Sequence, residues 1–213
     1  MTAKQRAAEC VRLLEAEYPE AECQLNASAA HELLIATRLS AQCTDARVNT
    51  VTPALFERFR SVNDFADAAP DEVAEYIRSC GLFKTKARDI VEMCRQLRDD
   101  FGGKVPDNLD DLLTLRGVGR KTANLIMGDI YGKPAVVADT HLIRITNLIG
   151  LCGSKDPYKV EMRLKELLEP EKSNDFCHRV VLLGRAVCIA RRPKCAGCVL
   201  NKVCKSAFKN ENK

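Results

Sequence analysis

The 213-residue chain lacks most of the features that would mark a secreted, membrane-bound or disordered protein. No run approaches the roughly 20 apolar residues that cross a bilayer, and no C-terminal lipidation signal is present, so no membrane role is expected. The opening MTAKQRAAEC runs straight into charged residues without an apolar stretch, so a secretory leader is not expected either. Charge of one sign is also missing: 33 basic residues face 29 acidic ones, with 46% hydrophobic residues, which excludes a disordered tail. Apolar residues almost never alternate with period two, which excludes a β architecture. No internal repeat, low-complexity tract or obvious linker interrupts the chain.

Cysteine, by contrast, is plentiful. Eleven cysteines would mean a disulfide framework in a short secreted chain, but an odd count without a leader points to an intracellular protein, its thiols reduced or bound to metal. The net charge of +4 is unevenly spread. The first 183 residues carry 25 basic against 28 acidic groups, whereas Gly184 to Lys213 carries eight (Arg185, Arg191, Arg192, Lys194, Lys202, Lys205, Lys209, Lys213) against Glu211 alone. That asymmetry suits an acidic partner, nucleic acid first, although a solubilising terminus has the same composition.

Apolar positions recur at helical spacing through most of the chain, so the fold class is all-α. Ala7, Val11 and Leu14 mark a first helix ending near Tyr18-Pro19, which can pack with either half of the chain. A second helix is expected over about 29–39. A third is capped by Thr44 or Asp45, with a kink or break at Pro53. Ser61 opens a short helix, Pro70 begins the next and Gly81 ends it. Residues 85–101 form another, followed by helices at 109–115, 120–131, 140–149, 157–168 and 174–188. The best boundary lies at Gly132-Lys133-Pro134.

Three constellations carry chemistry. Cys188-x6-Cys195-x2-Cys198-x5-Cys204 gathers four thiols within 17 residues among Pro193, Gly197 and basic side chains. This suits tetrahedral zinc or an iron-sulfur cluster, and the spacing alone leaves both open. The other seven cysteines are scattered singly, as small buried hydrophobes are. Gly117-Val118-Gly119 joins two helical patterns. Its backbone N–H groups at a helix start can clamp phosphate beside Arg116, Arg120 and Lys121, or the glycines can simply satisfy a turn. Lys121 sits in the first turn of that helix beside Arg120, a cationic setting expected to lower its amine pKa and make it nucleophilic. Asp139 reads as an N-cap. The two are 18 residues apart and meet only through the fold.

The series Leu115-x-Gly117-Val118-Gly119-Arg120-Lys121-Thr122-Ala123, then Asp139-Thr140-His141, then the four-cysteine loop resembles, in order and spacing, the endonuclease III family of DNA glycosylases. Leu39-Ser40-Ala41-Gln42-Cys43-Thr44-Asp45 and Gly81-Leu82-Phe83-Lys84-Thr85-Lys86-Ala87 resemble that family's two DNA-inserting segments. The resemblance implies an all-α, two-domain helix-hairpin-helix fold with a DNA cleft. One module would span 22–133; the other would join 1–21 to 134–213 and carry a 4Fe-4S cluster on Cys188, Cys195, Cys198 and Cys204.

The implied activity is excision of oxidised pyrimidines from double-stranded DNA, followed by β-elimination at the abasic site through a lysine Schiff base. Lys121 would be the nucleophile and Asp139 its acid-base and electrostatic partner. Gln42 would fill the gap left by the extruded nucleotide and Leu82 would wedge the opposite strand. Arg116, Gly117, Val118, Gly119, Arg120, Arg144, Arg191 and Lys194 would contact DNA. A cytoplasmic monomer is expected.

Three positions depart from the family pattern: Arg116 replaces a common Pro, Ala138 a usual Val, and Leu183 a frequent His. They bear on damage preference and affinity rather than on the reaction. The competing readings are an adenine- or thymine-mismatch glycosylase of the same superfamily and a non-catalytic iron-sulfur DNA-binding module. His31, His141 and His178 are not needed as bases.

Overall fold

The structure, a computed structural model, describes residues 1–207. Lys209, Glu211 and Lys213 of the basic terminus therefore lie outside the described residues. Among those described there are eleven α-helices, two 3₁₀ turns and no strand, so the fold is all-α. The chain divides into two compact units, Cys23–Tyr131, and Met1–Glu22 with Gly132–Lys213.

The unit Cys23–Tyr131 holds α2 (Ala30–Leu39), α3 (Asp45–Arg58), α4 (Val62–Asp67), α5 (Pro70–Tyr76), α6 (Phe83–Phe101), α7 (Leu109–Thr114) and α8 (Arg120–Asp129). Local chemistry sets most of their starts. The Thr44 hydroxyl accepts from the Arg47 N–H, Ser61 and Asp64 form a reciprocal capping box, Pro70 occupies the first turn of α5, and Asn108 accepts from the Asp111 N–H. Alpha-helix α6 is the spine. It buries Ala87, Ile90, Val91, Met93, Cys94 and Leu97, and α4 and α5 pack against it. Phe59 and Phe65 stack at 5.0 Å between ring centroids, with Tyr76 edge-on to Phe59.

Two expectations change here. The break expected as one outcome at Pro53 does not occur: α3 runs on through it, with Val48, Thr52 and Leu55 buried on both sides to offset the roughly 3 kcal/mol that an interior proline costs. Alpha-helix α5 stops at Tyr76 rather than at Gly81: Ile77 and Cys80 are buried, and a turn closed by the Cys80 N–H on the Ile77 carbonyl follows.

The other unit holds α1 (Ala3–Glu17), α9 (Thr140–Ile149), α10 (Pro157–Leu167) and α11 (Ser173–Ala186). Alpha-helix α1 lays Ala7, Cys10 and Leu14 against α10 and α11. Buried Arg179 ties α11 to the end of α1, its Nε donating to the Tyr18 carbonyl at 3.0 Å. Alpha-helix α9 buries Leu142, Ile145 and Ile149 on one face and ends at Gly150, whose φ of 87° needs a residue without Cβ.

Candidate functional site

In the Cys23–Tyr131 unit, α7 and α8 are joined by Leu115–Gly119. Gly117 has φ +77°, and a Cβ there would lie 2.8 Å from Arg38 Nε and 3.3 Å from Asp89 Cβ. Only glycine lets the turn sit this close to α2 and α6. Gly119 is the N-cap of α8 and brings no side chain to its first turn, so that turn has no side-chain cap and keeps the positive end of the helix dipole open to an anion. Lys121 is exposed on this first turn, after half-buried Arg120. Val118 is buried and holds the turn down.

Arg116 has a clear structural task. Its Nε donates to Asp89 Oδ1 at 2.9 Å, while Arg38 NH2 donates to Asp89 Oδ2 at 2.6 Å. Burial works against ionisation of Asp89, but the hydrogen bonds from Arg38 and Arg116 outweigh it and hold the carboxyl below the usual carboxylate range. The Arg116 N–H also donates to Gln96 Oε1 at 2.7 Å. The hairpin is thereby fixed to α2 and α6. The Arg116 side chain is still 65% exposed, leaving its charge at the surface.

The glycines differ in a testable way. Gly117→Ala forces a left-handed alanine and pushes Arg38 off Asp89, so it should cost at least about 2 kcal/mol in urea denaturation. Gly119→Ala meets nothing within 4 Å and has an ordinary φ of −101°. It should fold normally yet weaken binding to damaged and undamaged duplexes alike, because the added methyl stands where phosphate would approach the amides. Equal stability of the two variants would remove the role given to the Gly117 contact.

The same unit contains Gln42 and Leu82, the two residues other than glycine with positive φ among those described, at 55° and 57°. Such backbone costs about 1–2 kcal/mol at each residue. Both side chains are exposed, Leu82 at 62%. Their segments touch: a Cβ on Gly81 would lie 3.6 Å from the Gln42 carbonyl oxygen. Beneath them the fully buried Lys86 donates its Nζ to the Leu39 carbonyl at 2.8 Å, tying the start of α6 to the end of α2. Burial pushes the Lys86 amine below its ordinary range. An apolar side chain held out to solvent on strained backbone is the reverse of what folding alone favours.

Asp139 belongs to the other unit. It caps α9, its Oδ1 accepting from the Leu142 N–H at 2.7 Å, and is half-buried. His141 packs so tightly on Gly184 that a Cβ there would lie 2.4 Å from its Nδ1, a buried atom with no hydrogen-bond partner. Lys121 and Asp139 thus stand at the starts of two different helices, one in each unit.

The cysteine loop follows α11. Cys188, Cys195, Cys198 and Cys204 border one small cavity with Leu148, Val187 and Pro193, and its wall is almost wholly apolar. Burial, then the neighbouring sulfurs, push the Cys198 and Cys204 thiols above the ordinary range. Arg144 faces this loop, donating to the Cys188 carbonyl at 2.7 Å and reaching its Sγ at 3.6 Å. Arg191, Arg192, Lys194, Lys202 and Lys205 are exposed around it. Among the described residues no three His, Cys, Asp or Glu side chains converge closely enough for a single metal ion.

Sequence reading missed Arg38, Asp89 and Lys86. The first two are 51 residues apart, and each lies on a helix where a lone charge reads as a solvated face.

The family model described as HhH-GPD superfamily base excision DNA repair protein matches residues 35–170. Endonuclease III of Synechocystis sp. is 43% identical over 205 residues, covering 96% of this chain and 94% of that protein. Endonuclease III of Escherichia coli is 35% identical over 201 residues, covering 94% and 95%. A solved structure of a trapped endonuclease III-DNA covalent intermediate superposes with a TM-score of 0.93 at 39% identity, covering 99% of this chain and all of that one. A non-covalent endonuclease III-DNA complex gives 0.94 at 39% identity over the full length of both chains. With the hairpin, the strained Gln42 and Leu82 and the four-cysteine loop each in place, the chain belongs to the endonuclease III family within the HhH-GPD superfamily of base excision DNA repair proteins.

Proposed function

We propose that the protein is a DNA N-glycosylase and abasic-site lyase that removes oxidised pyrimidines from duplex DNA. The observation that carries this reading is Lys121, an exposed amine on the first turn of the hairpin helix, in a chain that is 39% identical to an endonuclease III trapped covalently on DNA. A damaged pyrimidine is weakly stacked or paired, so extruding it costs less than extruding a normal base. Gln42 and Leu82 hold the vacated stack apart, their exposed side chains already set outward by the backbone. The hairpin amides grip phosphate and set the register.

In the chemical step the neutral Lys121 amine attacks C1′ of the sugar as the glycosidic bond breaks and the base leaves with its electron pair. The Asp139 carboxylate stabilises the positive charge that develops on the sugar and assists proton movement. The resulting imine acidifies the C2′ proton, and its loss expels the 3′ phosphate by β-elimination. Borohydride reduces the imine to a stable amine. A covalent adduct between the protein and an oligonucleotide carrying an abasic site is therefore the expected result, and it separates this reading from a mismatch glycosylase that works without an imine and from a non-catalytic DNA-binding module. No adduct with intact abasic DNA would sink the proposal.

The four thiols fit a 4Fe-4S cluster. They line one small cavity together, and the site is walled by apolar side chains that limit water. When bound, the cluster supplies ligation energy that orders the loop. Cys188, Cys195, Cys198 and Cys204 would hold it, with Arg144 donating toward Cys188 and Arg191 and Lys194 presented to phosphate from the same loop. Double-stranded DNA is the partner, met by a cytoplasmic monomer. No helix among the described residues is long and apolar enough to cross a membrane.

A further inference from the structure

We propose that Cys43 and Cys80 form a peroxide-oxidisable dithiol site whose disulfide staples together the segments carrying Gln42 and Leu82. Cys43 directly follows Gln42, and Cys80 precedes Gly81-Leu82. The segments meet at the intervening backbone, where a Cβ on Gly81 would stand in van der Waals contact with the Gln42 carbonyl at 3.6 Å. The Cys43 and Cys80 thiols are near enough to act on one another electrostatically. A disulfide needs Cα atoms about 4.4–6.8 Å apart, and the contact between the residues that flank the two cysteines brings their segments together toward that span.

Both sulfurs are free thiols, Cys43 half-buried and Cys80 fully buried. Burial, then the Cys43 thiol, push Cys80 up to about 11, while the Lys86 and Arg47 cations oppose the rise. Cys80 therefore rests protonated, and the more accessible Cys43 meets the oxidant first. Its thiolate attacks one oxygen of hydrogen peroxide, giving a sulfenic acid and, after protonation, water. The Cys80 sulfur, on losing its proton, attacks the sulfenic sulfur. The S–S bond forms and a second water leaves, so two thiols and one peroxide yield one disulfide and two waters, with two electrons passing to the oxidant.

The consequence for DNA rests on the function proposed above. Gln42 and Leu82 must enter the duplex from neighbouring strained segments, and a covalent bridge between those segments removes their freedom to adjust to the opened stack. Oxidants that damage pyrimidines would then also slow the repair protein, reversibly, until a thiol reductant restores it.

The test treats purified holoprotein with a slight excess of hydrogen peroxide, alkylates the remaining thiols, digests it without reduction and maps disulfides by mass spectrometry, with iron content followed in parallel. The expected product is a peptide pair joined through Cys43 and Cys80 in most chains, reversed by dithiothreitol, with iron retained. Cys43→Ser should unfold at nearly the wild-type midpoint and give no such pair. Affinity for a duplex bearing an abasic-site analogue should fall about tenfold on oxidation, recover with dithiothreitol, and stay constant in Cys43→Ser. Recovery of both cysteines alkylated after peroxide, or unchanged affinity in the cross-linked protein, would overturn the proposal. Borohydride trapping by the reduced protein checks the Lys121 reading separately, since its failure leaves the disulfide map intact.

Discussion

Lys121→Ala is expected to lower base excision and strand cleavage by about 10³-fold or more, with duplex binding unchanged or tighter. The residue is exposed on the first turn of α8, so its removal leaves no cavity, and alanine is the better helix former there. A cation at a helix N-terminus opposes the dipole, so the variant should fold at least as stably as the parent. Lys121→Gln should behave alike, because an amide cannot attack C1′. Asp139→Asn isolates the other half of the chemistry. Asparagine caps a helix about as well as aspartate, its amide oxygen taking over the Leu142 N–H, so stability should change by less than about 0.5 kcal/mol. The lost negative charge should cost excision about 10²-fold. A pre-formed abasic site should still give borohydride-trappable adduct in Asp139→Asn, since its aldehyde is electrophilic without that charge. The assay uses one oligonucleotide with thymine glycol and one with an abasic site. Full cleavage and full trapping by Lys121→Ala would assign the nucleophile to another residue.

Helix starts were legible in the sequence wherever they depend on a cap within three residues. Thr44, Ser61, Pro70 and Asp139 all announce the helices that follow them. Helix ends and interruptions were less legible, because burial decides them. Pro53 is carried inside α3 by apolar contacts that no local pattern displays, and the Ile77–Cys80 turn replaces the last turn expected of α5. The half joined by α1 was equally hidden, since its stripe of Ala7, Cys10 and Leu14 fits any apolar surface; the Arg179 bond to the Tyr18 carbonyl is a contact over 161 residues.

The same division runs through the candidate site. Lys121, Asp139 and the four cysteines stand out through an ordered set of motifs that resembles a family, while their chemistry cannot be read from spacing alone. The bridge of Arg38, Asp89 and Arg116, and the buried Lys86 under Gln42 and Leu82, connect residues far apart in the chain and leave no periodic trace. Arg116 illustrates the limit. Sequence placed it among the DNA contacts, and the structure adds a partner, Asp89, that sets where its guanidinium sits.

Loss of one cluster ligand should have the second large effect, and it follows from how little else orders the loop. Between Val187 and Cys204 the described backbone makes mostly short turn hydrogen bonds, such as Cys198 on the Cys195 carbonyl and Cys204 on the Leu200 carbonyl, with one longer bond from the Lys194 N–H to the Val187 carbonyl; Arg144 and Arg6 donate to the Cys188 and Val203 carbonyls, and Leu200 is the one side chain in the loop that is fully buried. Apolar burial of one leucine stabilises by about 1.5–3 kcal/mol, too little to order a segment whose backbone costs about 1–2 kcal/mol per residue to fix. On the proposed reading, ligation free energy makes up the difference, so metal binding and ordering of the loop are one equilibrium. Wild-type protein prepared without oxygen should contain about four iron atoms per chain. Cys198→Ala should lose the iron and most soluble protein, whereas Cys152→Ala, a half-buried cysteine outside the loop, should keep both. Iron analysis and circular dichroism of the two variants decide the matter. Stoichiometric zinc without iron in the wild type would replace the cluster by a mononuclear site, and an iron-free Cys198→Ala that stays soluble and fully helical would show that the loop does not need its metal to fold.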